Sequence, residues 1–189
     1  MSDLIDIPIE PLTPEAFAPF GQIIGARNEP PLFQGGNATT WGVDFEIDGT
    51  MELHFARFDY QPVLEFSLVE RHFAVTQSFI PLNNDASVTV FAAPTDPNDP
   101  AAIPTTRDFR AFYIDGAQGV MMWKGTWHSS RFPARQPAAT FAFLTDARTT
   151  AELTEMLAGK PGTLTQLVDY EKEYGQRFRL TDPQGLMEG

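Results

Sequence analysis

Short apolar runs broken at close intervals by turn-forming residues most constrain what this chain can fold into. Its 14 glycines and 16 prolines are scattered through all 189 residues rather than gathered in one linker. Each proline removes a backbone donor and each glycine weakens a regular element, so long helices are excluded. Between the breakers lie segments rich in Phe, Val, Ile and Trp, the pattern of an all-β sandwich or barrel. The 16 phenylalanines are assigned to the barrel interior.

The same reading sets the elements. Thr13 caps a short helix, with Pro14 at its first position, Glu15 near its positive end and Gly21 beyond its last turn. Strands are expected over residues 41–47, 51–60, 65–75, 77–82, 87–92, 109–114, 120–123 and 138–145. Asp48-Gly49 reads as the two-residue turn of a hairpin joining the first two. Residues 30–41 read as an added loop. Helices are expected over 151–158, capped by Thr149 or Thr150, and from 163 to about 174, where Leu164, Leu167 and Val168 recur at helical spacing. One domain is expected over residues 1–189.

Charge and composition narrow the partners. Thirteen Lys and Arg against 25 Asp and Glu leave a formal charge of −12. A phosphate backbone needs clustered cations, so no nucleic-acid partner is expected, and an acidic membrane surface is disfavoured likewise. There is no cysteine, which excludes disulfides, thiolate metal sites and cysteine nucleophiles. The acidic N-terminus and the lack of a long apolar run point to a cytoplasmic protein. Histidine chemistry must use His54, His72 or His128.

Two of those histidines fall in informative segments. On a strand through residues 66–74, Phe66, Leu68, Glu70, His72 and Ala74 share one face. That face begins apolar and then presents a carboxylate and an imidazole, whose unpaired burial would cost several kcal/mol. Arg71 points the other way and is assigned to the outer surface or a dimer contact. Gln77 opens the next strand. Far downstream, Gly125 makes a turn that lets His128 point back inward. His54, outside any motif, is assigned a structural role.

Together these read Glu70-x-His72-x4-Gln77 and Gly125-x-x-His128, a spacing that resembles the two metal-binding motifs of the cupin barrels. The fold implied is mainly β, a cupin-type antiparallel barrel with short N- and C-terminal helices. Read in full, Glu70-Arg71-His72 with Thr76-Gln77-Ser78-Phe79-Ile80-Pro81 resembles the ureidoglycolate lyase family. Arg110-Ala111-Phe112, Gly119-Val120, Trp127-His128 and the opening block from Pro11 to Gly21 extend the likeness. Two departures touch the pocket: Trp123 stands where the family commonly has a histidine, and Ser129 where it has the second of paired histidines.

The resemblance implies cleavage of ureidoglycolate to glyoxylate and urea, a step in allantoin degradation. Such an elimination needs a base for the hydroxyl proton, an acid for the leaving nitrogen and a cation for the carboxylate. His72 with Glu70 is the candidate base, and His128 or Lys124 the candidate acid. Arg57 or Lys124 is the candidate carboxylate ligand, with Gln77 and Trp127 as further substrate contacts. Glu70, His72, Gln77 and His128 are also the candidate ligands of a divalent transition metal, with nickel, manganese or iron all admitted. The implied partners are a small anionic substrate and a second copy of the chain in a homodimer. Rival readings are a lyase, isomerase or hydrolase for another small carboxylated molecule, and a non-catalytic ligand-binding cupin.

Overall fold

The computed structural model describes residues 2–25 and 30–188. In chain order the first elements are β1 (Asp3–Pro11), α1 (Pro14–Phe17), β2 (Gly21–Ile24), β3 (Phe33–Gly35), β4 (Ala38–Thr40), β5 (Met51–Asp59), β6 (Glu65–Phe66), β7 (Leu68–His72), β8 (Ser78–Pro81) and β9 (Ser87–Ala92). There follow β10 (Arg110–Ile114), β11 (Gly119–Met122), β12 (Trp127–His128), β13 (Phe132–Pro133), β14 (Ala138–Asp146), α2 (Ala147–Leu157), β15 (Thr165–Asp169), α3 (Tyr170–Tyr174) and β16 (Gln176–Thr181).

The strands curl into two facing sheets, so the mainly β architecture expected from the sequence is present, antiparallel except where β1 runs parallel to β10 and β16. The larger runs β15-β7-β12-β9-β10-β1-β16-β6, with β13 also on β9, and the smaller runs β2-β11-β8-β14-β5. Alternation along the strands divides the core in two. Phe17, Phe20, Phe79, Phe91, Phe112 and Phe141 pack between the sheets. On the other face of the larger sheet, Val90, Phe109, Trp127, Tyr170 and Phe178 form a second cluster beneath α3. The phenylalanines therefore serve both layers, not the interior alone.

Several elements differ from expectation, each for a long-range reason. The hairpin at Asp48-Gly49 does not form. Instead β5 pairs along its full length with β14, from Met51↔Asp146 to Asp59↔Ala138. Residues 41–47 are irregular apart from a bridge between Ile47 and Val75, sealed by Asp48 N–H donating to Ala74 and Thr76 N–H to Glu46. The inserted loop folds into the β3–β4 hairpin, a sheet of its own. The expected helix over 163–174 is a strand followed by one helical turn, because β15 pairs antiparallel with β7. Helix α2 begins earlier than expected and is capped by Asp146, whose carboxylate accepts from the Arg148 N–H. Thr13 does cap α1. The ends meet as β1 and β16, parallel from Asp3↔Gln176 to Pro8↔Thr181. Among the described residues no helix is long and apolar enough to cross a membrane.

Candidate active site

Strand β7 builds the site from its alternation. Glu70 and His72 face the space between the sheets, while Val69 and Arg71 face the second core. Across the ladder, β12 places His128 directly opposite Glu70. The turn before β12 rests on Gly125, whose φ of +78° is the left-handed region that glycine occupies without strain. Its N–H donates to the His72 carbonyl at 2.7 Å, strapping the two motif segments together.

The result is a tight cluster. Glu70 Oε1 lies 3.8 Å from His72 Nε2 and 3.8 Å from His128 Nδ1. The two imidazole rings stand 5.3 Å apart. His72 is held from behind by Thr165 of β15, whose Oγ1 is 3.0 Å from Nδ1. Gln77 lies beside both histidines, with its Nε2 donating to Thr145 at 3.4 Å and its buried Oε1 without a partner among the described residues. Trp123 closes the same small space and donates its Nε1 proton to the Ala18 carbonyl at 3.1 Å.

Burial sets the charges. It would raise the Glu70 pKa, but the nearby His72 and His128 outweigh it and hold the carboxyl at about 2. Burial drives His128 the other way, down to about 4, against the pull of Glu70. At neutral pH the cluster is therefore an ionised carboxylate beside a neutral His128 imidazole.

Ligand-bearing atoms of Glu70, His72 and His128 all lie within 4.8 Å of one another. His72 Nε2 and His128 Nε2 are buried without hydrogen-bond partners among the described residues. Two buried imidazoles beside a carboxylate, with ligand atoms this close, are a donor set that fits a divalent transition metal.

A cavity of about 310 Å³ opens on the cluster. Glu70 and His128 form one part of its wall, and Phe58, Phe66 and Phe79 form an apolar part. Arg131 also lines it, only 5% exposed. Its Nη1 donates to Thr89 Oγ1 at 2.9 Å, and its guanidinium carbon sits 3.8 Å from the centre of the Phe79 ring. Burial pushes its pKa down, to about 9, which leaves it a cation at neutral pH.

The structure thus brings Glu70, His72, Gln77 and His128 together, and leaves the other candidates elsewhere. Arg57 is exposed on β5, paired with Asp59 at 2.8 Å, and borders an adjoining surface depression. Lys124 is paired with Asp48 at 2.6 Å and Glu46 at 3.7 Å, and lines neither the cavity nor the small space beside it. Trp127 is fully buried in the second core, its Nε1 donating to Thr95 Oγ1 at 3.1 Å. His54 is bound to Glu52 at 2.8 Å and packs on Phe143.

Arg71 does face away from Glu70 and His72, but it is not on the outer surface: it is fully buried. It lies between Phe73 and Trp127 and bonds to Gln166, Thr95 and Asp96. Strand β15 covers the face that the sequence left open.

Two residues of the site escaped the sequence. Arg131 stands three positions past His128, and its one signal was a lone cation entering the buried run Phe132-Pro133. Thr165 had no local signal, since it meets His72 across 93 positions of chain.

The profile of the ureidoglycolate lyase family matches residues 4–165. Curated proteins named ureidoglycolate lyase are similar as well. The one from Burkholderia cepacia is 37% identical over 130 residues, covering 64% of this chain and 68% of its own. The one from Rhodobacter capsulatus is 34% identical over 141 residues, covering 68% and 80%. The one from Schizosaccharomyces pombe is 29% identical over 140 residues, covering 62% and 73%. A solved structure of RmlC from Streptococcus suis in complex with dTDP-D-xylose overlaps 51% of this chain and 43% of its own, at 8% identity and a TM-score of 0.31.

Proposed function

The chain belongs to the ureidoglycolate lyase family, and from that premise we propose that it cleaves ureidoglycolate to glyoxylate and urea by breaking a carbon–nitrogen bond. The observation that carries the reading is the convergence of Glu70, His72 and His128 on one cavity wall and the space behind it.

The reaction moves one proton between two atoms on the same carbon. His128 is neutral at working pH, and its unpartnered Nε2 accepts the hydroxyl proton. The C–O bond becomes a carbonyl as the C–N electron pair leaves with the ureido nitrogen. That nitrogen takes the proton from His128, and urea departs. Glu70, 3.8 Å from His128 Nδ1, steadies the transient imidazolium. His72, oriented by Thr165, fixes Glu70 from its other side. The aromatic wall excludes water from the step.

Glu70, His72 and His128, with Gln77 Oε1 as a fourth donor, are the residues that would hold a nickel, manganese or iron ion. Such an ion, when bound, supplies polarisation of the substrate hydroxyl and carboxylate. Ligation at His128 Nε2 would take that atom out of proton transfer, so the two roles are exclusive and metal content decides between them.

The test is turnover of ureidoglycolate by purified protein, with and without added nickel, manganese or iron. Glyoxylate and urea should appear in equal amounts, and His128→Gln should lower kcat by about 100-fold. Absence of urea under all conditions overturns the reading. A second reading, the same chemistry on another small carboxylated molecule, is favoured by Trp123 and Ser129 at the pocket and by the phenylalanine wall. A substrate panel separates the two.

We place the protein in the cytoplasm as a homodimer. The dimer is supported by edge strand β5, which leaves Leu53 and Phe55 69% and 67% exposed on its outer face.

A further inference from the structure

We propose that Arg131 is the anchor for the carboxylate of the substrate, gripping it inside the cavity that Glu70 and His128 also line. The substrate's identity rests on the reaction proposed above; the anchor itself rests on Arg131 and its surroundings.

A guanidinium is rarely buried unless a carboxylate or phosphate faces it. Arg131 is buried at 5% exposure, yet among the described residues no carboxylate lies within ion-pair range. Among the described residues its one side-chain hydrogen-bond partner is the neutral hydroxyl of Thr89, and its buried Nε meets no acceptor. The faces of Phe79 and Phe141, 3.8 and 5.2 Å from the guanidinium carbon, offset part of the desolvation as cation–π contacts. Aromatic faces leave the in-plane N–H groups unanswered, and those groups are what a carboxylate accepts from, often two at a time.

The other cations named for this task are already occupied. Arg57 is paired with Asp59 and Lys124 with Asp48, so either would have to exchange one carboxylate for another in water. Arg131 needs no exchange, and it acts in a low-dielectric space where one ion pair is worth more than at the surface. With a formal charge of −12 the protein as a whole repels an anion. A buried, uncompensated cation supplies the local field that reverses this.

The cavity is thereby polarised. Arg131 lies on its wall together with the ionised Glu70 and the neutral His128. Its chemistry selects a short acid whose other end carries a hydroxyl or amide donor, the class to which 2-hydroxy acids with a nitrogen substituent belong.

The test uses glycolate and its neutral isostere glycolamide, neither of which requires turnover. By titration calorimetry, the wild-type protein should bind glycolate at least about tenfold more tightly than glycolamide. Equal binding of the two overturns the proposal without any variant. R131M should erase the preference while keeping or raising Tm, since it removes an unpaired buried charge and keeps the aliphatic stem on Phe79. R131K should retain part of the preference. In turnover of ureidoglycolate, R131M should raise KM far more than it lowers kcat. Preference retained in folded R131M, or an unchanged KM, assigns the carboxylate to another cation and overturns the proposal while leaving the reaction standing. Glycolate preference lost in R131M, with no urea formed by wild type, supports the anchor and fails the reaction.

Discussion

Thr165 Oγ1 sits 3.0 Å from Nδ1 of His72, in register across the β15–β7 ladder. When Nδ1 accepts from that hydroxyl, Nε2 carries the ring proton toward Glu70; when Nδ1 donates to it, the Nε2 lone pair is free for a cation. Thr165 is itself positioned by the Glu152 carboxylate, which accepts from the N–H groups of Thr163, Leu164 and Thr165. Thr165→Val keeps the shape and removes that hydroxyl. We expect kcat to fall by about tenfold with little loss of stability, and Thr165→Ser to restore most of it. Unchanged kcat and an unchanged pH–rate profile in Thr165→Val would show that His72 needs no such support.

The titration of His128 makes the metal-free protein acid-labile. Its folded pKa is about 4, below the ordinary 6.5, so between those values the unfolded chain binds a proton that the folded chain refuses. Stability is complete above about pH 6.5 and falls as pH drops toward 4, by roughly 3 kcal/mol for this group alone. Glu70 acts in the next window. Its depressed pKa contributes stability above its ordinary 4.5, lost as pH falls toward about 2. Urea unfolding of chelator-treated protein from pH 8 to pH 4 measures the first slope, and His128→Phe should flatten it. A slope unaffected by that substitution contradicts the assignment.

A bound cation would be lost with its donors. If Glu70, His72 and His128 hold one, elemental analysis of protein purified without chelator should find close to one transition metal per chain. Glu70→Ala and His72→Ala should each weaken the affinity by at least about tenfold. Metal retained in the double variant would locate the ion elsewhere.

The site was legible in sequence where it depended on local spacing, and illegible where it depended on what the chain brings back later. Alternation around Glu70 and His72, and the Gly125 turn before His128, are short-range patterns, and both hold in the fold. Arg71 was read as outward because nothing near it says that β15 will cover that face. The strand β15 hides for a related reason: Leu164, Leu167 and Val168 satisfy a helical period, and only pairing with β7 selects the extended form. Asp48-Gly49 gave a strong hairpin signal that lost to nine aligned pairs between β5 and β14. In each case a ladder of many backbone bonds outweighed a local preference of about 1 kcal/mol or less.

Arg71 should matter to stability more than to chemistry. Its guanidinium ties β7 to Gln166 of β15 at 2.7 Å and to the Thr95 carbonyl at 3.0 Å, packed on Trp127. Arg71→Ala leaves those acceptors unpaired and opens a space beside the indole. A loss of about 3 kcal/mol in urea unfolding is expected, and Arg71→Lys should recover less than half, since one ammonium cannot span acceptors on two segments. A loss under 1 kcal/mol would mean that β15 is held by its ladder alone.

Strand β5 is the long open edge of the smaller sheet, and an edge of this kind is normally blunted by charge, bulges or a cover. Here Met51, Leu53 and Phe55 stand exposed at alternate positions along it, an apolar stripe more typical of a contact surface than of a free one. The homodimer proposed above would cover it with the same stripe from a second copy, related by a two-fold axis. Light scattering at micromolar concentration should then give twice the 21.0 kDa chain mass. Phe55→Asp should shift the protein to a monomer, because one introduced carboxylate meets its own symmetry mate across the axis. The residue packs on neither core, so far-ultraviolet circular dichroism should be unchanged. A wild-type monomer, or a dimer untouched by Phe55→Asp, removes β5 as the interface.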